Sequence, residues 1–316
     1  MNTQTSVIIS ASRATDIPSY YAEWFMNRFH EGYAYNTYAK ISFEKTRVFV
    51  FWTKNPEPLM KYLPEIDAKG IGYYFQFTLN DYPTAIEKNV ASLSKRIDIF
   101  KRLSDMIGPE KVIWRYDPIL IIPGLMPVEE HINRIRNIGE TLKGYTNKLI
   151  FSFLDDYRKA ITNLLKTGLF TEDNIKSSVP NKEEMIKVSE AILAMSKEWG
   201  MTPATCAEAA TISGIQRNKC IDPELIDSLF SKNDPELNEY MNKFRSTTTG
   251  KIIPMLAKDG RQRTLCGCMV SKDIGMYNTC LHNCAYCYAT ESFERACENH
   301  KKHIIAEDSI IPFKKI

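Results

Sequence analysis

The sequence predicts an α/β protein with a parallel sheet, in the form of a complete or partial (β/α)8 TIM-barrel-like fold. Short apolar segments rich in β-branched and aromatic residues alternate with amphipathic helical segments over much of the chain. One strand with its helix takes roughly 35 to 40 residues, which is typical of βα units in a parallel sheet. About six or seven such units favour a barrel over a doubly wound sheet.

The predicted strands share an apolar, β-rich composition and are bounded by turn signals. The segment VFVFWT at 48–53 is apolar at almost every position, as expected for a strand that is buried on both faces. In order, the predicted strands are 6–10 (SVIIS), 33–37 (YAYNT), 48–53 (VFVFWT), 71–79 (IGYYFQFTL), 111–116 (KVIWRY) and 148–154 (KLIFSFL).

The predicted helices are placed by start signals and by apolar residues at helical spacing. Asp16 and Pro18 mark the start of the first helix, and Gly32 marks its end. Three further helices each place apolar residues on one face. Their residues are Val90, Leu93, Ile97, Phe100 and Leu103, then Val128, Ile132, Ile135 and Leu142, then Met185, Val188, Ile192, Met195 and Trp199.

The βα pattern weakens after about residue 210, and a segment rich in cysteine follows. We therefore predict two parts, a parallel βα barrel over 1–260 and a Cys-rich segment over 261–316. The second part is expected to pack on the mouth of the barrel.

Composition and charge exclude few classes of partner, and they give no support for a highly charged partner. The chain has 41 basic and 38 acidic residues and a net charge of +3, so its charge gives no support for nucleic acid or an anionic membrane as a partner. No secretory signal and no apolar run of about 20 residues is present, so we expect no membrane association and a cytoplasmic location. There, ordinary thiols stay reduced, and eight cysteines indicate metal binding or catalysis.

Polar side chains accumulate where the predicted strands end, which is where the active site of such a barrel lies. Arg115 follows three apolar residues and needs an anionic partner, for which Asp117 and Glu208 are candidates. An internal ion pair at the barrel mouth explains these residues as well as ligand binding does. The candidate catalytic residues are Arg13, Lys54, Arg115, Asp117 and Glu208, and the candidate cofactor-binding residues are Ser10, Ser12, Thr53 and Gln76.

Three cysteines, Cys280, Cys284 and Cys287, form a CxxxCxxC motif with Tyr286 before the last of them. A disulfide leaves one thiol over and conflicts with a reducing compartment. Zinc remains possible if Cys266 and Cys268 complete a set of thiolates. An iron–sulfur cluster fits best, because it needs several soft thiolates on one turning loop. Three cysteines can hold three irons of a [4Fe–4S] cluster and leave the fourth iron open.

This motif, in CLHNCAYCYA at 280–289, resembles the signature of the radical S-adenosylmethionine superfamily. The resemblance implies a parallel βα barrel and an open iron that binds the amino and carboxylate groups of S-adenosylmethionine. One electron from the cluster then cleaves that molecule to a 5′-deoxyadenosyl radical, and Tyr286 is a candidate for cofactor contact. The superfamily normally carries the motif near the N-terminus and has a Gly-Gly-Glu segment. Here the motif lies near the C-terminus and the chain has no Gly-Gly pair.

A set of short motifs runs along most of the chain, namely IISASRATDIP, FWTKNP, RYDPI, DGRQRTLCGC, SKDIG and YNTCLHNCAYCYA. Through these motifs the chain resembles the family catalogued as domain of unknown function 1848. That family is known mainly for this C-terminal cysteine cluster, so the resemblance implies the cluster and no substrate.

The identity of a fourth cluster ligand separates two classes of function. If Cys206, Cys266 or Cys268 is that ligand, the cluster is closed and the protein is a non-catalytic iron–sulfur or zinc protein for electron transfer, sensing or partner binding. If none of them is, we expect a radical enzyme that acts on an unknown small molecule and takes electrons from a donor such as flavodoxin or ferredoxin. Cys206, Cys220, Cys266 and Cys268 could instead form a second metal site, although an inert buried thiol is slightly preferred for Cys220.

Overall fold

Eleven β-strands and twelve α-helices lie in the part of the chain that the computed structural model describes, residues 2–206, 208 and 212–313. The strands are β1 (Thr3–Thr5), β2 (Ile8–Ala11), β3 (Tyr33–Tyr35), β4 (Lys40–Ser42), β5 (Val48–Thr53), β6 (Gly72–Thr78), β7 (Val112–Ile119), β8 (Lys148–Phe153), β9 (Thr202–Thr205), β10 (Gln216–Arg217) and β11 (Lys272–Asp273). The helices are α1 (Ile17–Tyr20), α2 (Ala22–Glu31), α3 (Glu57–Met60), α4 (Leu63–Ala68), α5 (Leu93–Ile107), α6 (Val128–Leu142), α7 (Arg158–Leu165), α8 (Lys182–Trp199), α9 (Pro223–Phe230), α10 (Pro235–Asn242), α11 (Pro254–Ala257) and α12 (Phe293–Lys301). Short 3-10 helices cover Pro109–Lys111, Ile175–Ser178 and Ser231–Asn233.

The predicted parallel α/β sheet is confirmed. Eight strands lie in the order β10-β9-β8-β7-β6-β5-β2-β11, and every neighbouring pair is parallel. β11 comes from the C-terminal segment and pairs beside β2, with Lys272 opposite Ile9 and Asp273 opposite Ser10. Within the described residues β10 and β11 do not pair, so the strand order is compatible with a barrel and the closure of that barrel is not shown.

One predicted strand belongs elsewhere. Tyr33–Tyr35 forms β3, which pairs antiparallel with β4 in a separate sheet of three strands, in the order β1-β4-β3. Strand composition does not say which partner a strand takes, and here β3 and β4 lie close enough along the chain to pair with each other.

The strands of the main sheet bury both faces, as their apolar composition predicts. Side chains of one face, such as Ile9, Phe51 and Phe75, pack against the surrounding helices in the largest core cluster. Side chains of the other face pack in an inner cluster that includes Val50 and Tyr74. Because side chains alternate along a strand, the polar residues that continue the inner face at the carboxyl ends open towards one common space.

The predicted first helix is divided into two. Asp16 Oδ1 accepts a hydrogen bond from the backbone N–H of Ser19 at 3.0 Å and caps α1. The chain then breaks its helical conformation at Tyr21 before α2, which ends at Gly32 with a φ of 76°. The Tyr21 hydroxyl donates to the carbonyl oxygen of Thr279 at 2.7 Å, so the break attaches the helix to the C-terminal segment.

The C-terminal segment is joined to the main sheet and to its core. It contributes β11, and Ile274, Met276 and Ile310 belong to the same hydrophobic cluster as the outer faces of the strands. The last three residues of the predicted segment, 314–316, lie outside the described residues. In the part of the chain that is described, no helix combines the length and the apolar character needed to span a membrane.

Candidate functional site

A cavity of about 850 Å³ opens at the carboxyl ends of the strands, where the inner faces of β2, β5, β7, β8 and β9 end. This is the place where a parallel βα barrel carries its active site, and the volume is that of a site for a small molecule with a cofactor. Seven of the eight cysteines line the cavity, namely Cys206, Cys220, Cys266, Cys268, Cys280, Cys284 and Cys287. All eight thiols are free.

The CxxxCxxC loop is attached to the ends of the first strands of the sheet. His282 Nε2 lies 2.6 Å from Asp16 Oδ2, and His282 Nδ1 lies 3.0 Å from the Tyr20 hydroxyl. The backbone N–H of Ala285 donates to the carbonyl oxygen of Ile86 at 2.9 Å. The loop is therefore held from β2 and from the segment after β6, and its three thiols face the cavity.

The three thiols of the loop are near enough to interact electrostatically. Cys280 and Cys284 each interact with Cys287, and the backbone N–H of Cys287 donates to the carbonyl oxygen of Cys284 at 3.1 Å. Asn283 has a φ of 53°, in the left-handed region, which turns the chain between the first two cysteines of the motif towards the third. The sequence places Cys280, Cys284 and Cys287 together, and the structure brings them to one wall of the cavity.

A buried ion pair lies beneath this loop. Lys54 Nζ donates to Glu87 Oε1 at 2.7 Å and to the Tyr286 hydroxyl at 2.9 Å, and Tyr286 also donates to Glu87. Asn80 Nδ2 donates to the same Glu87 oxygen at 3.1 Å. Although burial alone would raise the pKa of Glu87, Lys54 and Arg96 lower it to about 2. Lys54 and Tyr286, two predicted site residues, are thus joined by a carboxylate that the sequence did not single out.

The other four cavity cysteines contact one another. Cys206 Sγ lies 3.8 Å from Cys220 Sγ, and the backbone N–H of Cys220 donates to Cys268 Sγ at 3.2 Å. The Cys268 thiol also lies near enough to the thiols of Cys220 and Cys266 to affect their pKa values. Hydrogen bonds from Cys206 and Cys268 hold the pKa of Cys220 well below its usual range, and the positive charge of Arg115 acts in the same direction.

The cysteines do not yet form a coordination shell. As the side chains stand, no group of three or more His, Cys, Asp or Glu residues within the described ranges could hold a metal ion. Any metal therefore requires the thiols to exchange their present contacts for bonds to it.

Arg115 has the anionic partner that its position predicts. Its Nη2 pairs with Asp117 Oδ2, and its Nη1 donates to Cys220 Sγ at 3.1 Å and to Gln76 Oε1 at 3.3 Å. Burial opposes the charge of Arg115, but Asp117 and Cys220 outweigh it and raise the pKa of the guanidinium. Gln76 also donates through Nε2 to the carbonyl oxygen of Cys220 at 2.9 Å, beneath the cavity.

Glu208, the second candidate partner of Arg115, is outside the lining of the cavity. Its Oε1 accepts a hydrogen bond from the backbone N–H of Phe153 at 3.0 Å, and burial raises its pKa. The structure thus places Glu208 at the end of β8, where it satisfies a backbone donor.

Arg13 lies between the two groups of cysteines. Its guanidinium is 5.4 Å from the centre of the Trp52 ring and interacts electrostatically with Cys220, Cys266 and Cys268. Its carbonyl oxygen accepts a hydrogen bond from the hydroxyl of Tyr288, next to the last loop cysteine, at 3.1 Å. Its Nη2 is buried and has no hydrogen-bond partner among the described residues.

The small polar candidates mostly shape the strand ends. Ser10 Oγ donates to Asp273 Oδ2 at 2.7 Å, and the backbone N–H of Arg13 donates to the same oxygen at 3.0 Å. Ser12 Oγ accepts from the backbone N–H of Ala14 at 3.0 Å, and Thr53 Oγ1 accepts from that of Asn55 at 2.9 Å. Ser12 and Thr53 also line the cavity, whereas Ser10 and Gln76 do not.

Four residues important to the site were absent from the predicted set, namely Asp16, Glu87, Asp273 and His282. Asp16 lies next to the predicted site residues at the end of the first strand, and His282 lies within the cysteine motif. Glu87 and Asp273 carry no local signal, because their partners Lys54 and Ser10 are far away in the sequence.

Comparison with known proteins identifies one family. The family model described as "Domain of unknown function (DUF1848)" matches residues 8–289, which run from β2 through the last residue of the CxxxCxxC loop segment. No curated protein and no solved structure matches the chain.

Proposed function

The chain belongs to the DUF1848 family, and on that premise we propose that it is an iron–sulfur enzyme of the radical S-adenosylmethionine type. Cys280, Cys284 and Cys287 would ligate a [4Fe–4S] cluster. The cavity above them would take S-adenosylmethionine together with a small-molecule substrate whose identity is unknown.

The observation that carries this proposal is the division of the cavity cysteines into a group of three and a group of four. Each candidate for a fourth cluster ligand, Cys206, Cys266 or Cys268, belongs to the chain of contacts around Cys220. A cluster held by the loop alone would have three protein thiolates and one open iron. That grouping supports a reactive cluster over a closed one that only transfers electrons.

The surroundings of the loop also suit a cluster. Asp16 and Tyr20 contact the two ring nitrogens of His282, and the carbonyl oxygen of Ile86 accepts from the backbone N–H of Ala285, so the loop is held at two of its residues. A chain fixed in this way loses little further conformational freedom when the thiols bind a metal cluster. The chemistry that the bound cluster supplies is one-electron reduction, which cleaves S-adenosylmethionine and yields a 5′-deoxyadenosyl radical.

Arg13 is the residue best placed to orient the cofactor. Lys54 is committed to Glu87, and Arg115 is committed to Asp117, so neither has its full charge free for a ligand. Arg13 keeps one buried N–H group without a partner among the described residues. A guanidinium with a free donor at a cavity wall suits a carboxylate, so Arg13 would bind the methionyl carboxylate.

Electrons would reach the loop from its outer side. The same three cysteines line a second cavity of about 140 Å³, whose rim carries the exposed side chains of Lys88 and Lys166. Two lysines beside the cluster loop favour an acidic electron donor of the flavodoxin or ferredoxin class.

The test uses anaerobically reconstituted protein. Iron and acid-labile sulfide are counted, the protein is reduced with dithionite, and its EPR spectrum is recorded with and without S-adenosylmethionine. We expect a spectrum that changes on addition of S-adenosylmethionine and release of 5′-deoxyadenosine. Cys280→Ala/Cys284→Ala/Cys287→Ala should abolish both, whereas Cys297→Ala, whose thiol lies outside the cavity lining, should keep both.

An intact cluster that gives neither response would refute the radical mechanism. It would then support the other class, an all-Cys-ligated protein for electron transfer, sensing or partner binding. Zinc without sulfide at the CxxxCxxC loop would exclude the cluster itself.

A further inference from the structure

Four cysteines meet at the junction between the two ends of the sheet. Cys206 follows β9, Cys220 follows β10, and Cys266 and Cys268 precede β11. Sulfur–sulfur and backbone contacts join them in succession, from Cys206 to Cys220, from Cys220 to Cys268 and from Cys268 to Cys266. Four separate positions in the sequence thus bring four thiols to one wall of the cavity.

We propose that these four thiols form a second metal centre, which takes one thiophilic metal unit, either zinc or an iron–sulfur cluster. Four cysteine thiolates are a complete ligand set for either. This proposal goes beyond the CxxxCxxC cluster and does not depend on it, because it concerns a different set of residues.

The spacing of the sulfurs favours a metal over a disulfide. Cys206 Sγ and Cys220 Sγ are 3.8 Å apart, whereas a disulfide bond measures about 2.05 Å. Four sulfurs arranged tetrahedrally at about 2.3 Å from one metal lie about 3.8 Å from one another. The distance therefore equals one edge of a mononuclear site, so the spacing favours zinc over an iron–sulfur cluster. The remaining thiols must turn towards a common centre, since as they stand no described group could hold a metal.

The hydrogen-bond donors and charges around Cys220 favour a thiolate over a thiol at that position. Arg115 Nη1 and Asn218 Nδ2 donate to Cys220 Sγ at 3.1 Å and 3.2 Å. The Arg13 guanidinium interacts with Cys220, Cys266 and Cys268. Four thiolates around a divalent metal carry a net charge of about −2, and hydrogen-bond donors and cations at the sulfurs stabilise such a charge. A group of inert buried thiols has no need of two guanidiniums beside it.

The position suggests what the centre does for the fold. The backbone N–H of Met269 donates to the carbonyl oxygen of Ile221 at 3.0 Å, which is a link between the chain after β10 and the chain before β11. A metal bound by Cys220 and Cys268 would fasten these two segments at the point where the end strands of the sheet do not pair. It would hold this part of the cavity wall in a fixed place.

Metal analysis of three variants tests the proposal. Cys280→Ala/Cys284→Ala/Cys287→Ala removes the loop thiols, so any metal that remains reports on the second centre alone. We expect about one metal unit per chain in this variant, as zinc without sulfide or as iron with an equal amount of sulfide. Adding Cys266→Ala and Cys268→Ala should remove that metal, and Cys297→Ala in the wild-type chain should leave all metal in place. A triple variant with no metal, or one whose metal survives the two further substitutions, would overturn the proposal.

A second measurement avoids dependence on the folding of the variants. In the wild-type protein, Cys266 is partly exposed and should be protected from iodoacetamide by the metal. A strong chelator should increase the alkylation of Cys266 severalfold, as mapped by peptide mass spectrometry, while that of Cys297 stays constant. Alkylation of Cys266 that is equally fast with and without the chelator would contradict a metal at this site.

Discussion

His282 Nε2 lies 2.6 Å from Asp16 Oδ2, although the two residues are 266 positions apart. This contact joins the cysteine loop to the end of the first strand of the sheet, β2. Asp16 Oδ2 also accepts from the backbone N–H of Lys54 at 2.7 Å, and Asp16 Oδ1 caps α1. One carboxylate therefore connects the cysteine loop with the carboxyl ends of two adjacent strands.

Asp16→Asn should weaken this junction. The amide keeps the shape of the side chain but loses the charge-assisted hydrogen bonds, so we expect a loss of about 2 kcal/mol in the free energy of unfolding. Urea unfolding monitored by circular dichroism measures it. The matched control is Glu65→Gln, which alters an exposed pair with His30 and should cost under about 1 kcal/mol. Equal losses of unfolding free energy in the two variants would show that the Asp16 contacts stabilise the fold no more than an exposed ion pair does.

Lys54→Ala should be among the most destabilising single substitutions in the site. It leaves the Glu87 carboxylate buried without its closest cation, which typically costs about 3–5 kcal/mol. The double variant Lys54→Met/Glu87→Gln removes both charges. Its loss of unfolding free energy should be smaller than the sum of the losses for Lys54→Met and Glu87→Gln measured separately. Lys61→Ala, which breaks an exposed pair with Glu23, should leave the urea midpoint almost unchanged. A strictly additive double variant would contradict the coupling.

His131 should make stability depend on pH. It is fully buried, contacts the Tyr116 hydroxyl and the carbonyl oxygen of Leu120, and its pKa is lowered to about 4, chiefly by burial. The unfolded chain, with a histidine pKa of about 6.5, binds the proton first, so stability is full above that pH and falls as the pH drops from about 6.5 to about 4. The loss reaches at most about 3 kcal/mol. His131→Gln should lack this part of the pH dependence. If the free energy of unfolding, measured against pH, follows parallel curves in the wild-type protein and in His131→Gln, the prediction is wrong.

Gly275→Ala should disturb the end of β2 from the other side. A Cβ atom at position 275 would lie 1.9 Å from Ser12 Oγ, so either the segment around Ser12 or the segment around position 275 must move. We expect a loss of about 1–3 kcal/mol, as for overpacking elsewhere. Gly260→Ala lies in the same C-terminal part of the chain, meets nothing within 4 Å, and should change stability by less than about 0.5 kcal/mol.

A rescue variant makes that prediction specific. Ser12→Gly combined with Gly275→Ala removes the two atoms closest to the new methyl group and leaves Asp273 Oδ1, at 3.1 Å, so it should recover part of the lost stability. A double variant that is less stable than Gly275→Ala alone would mean that the clash with Ser12 is not the cause.

The sequence alone determined the parallel βα architecture and the general position of the site. Apolar runs such as 48–53 and helical faces such as that of α6 are local patterns, and local patterns specify strands and helices. Because parallel strands end at one edge, the polar residues after them, Arg13 and Arg115 among them, could be assigned to one cavity before any contact was known.

Only the tertiary structure decided which residues meet. The pairing of β11 with β2 brings the cysteine loop to Asp16. β11 has only two residues, and a strand of that length has no local sequence pattern that predicts it. The same holds for Lys54 with Glu87 and for Cys220 with Cys268, because a contact between distant parts of the chain depends on the order of strands in the sheet. The division of seven cavity cysteines into three and four was therefore open in the sequence, and it is the folded chain that separates them.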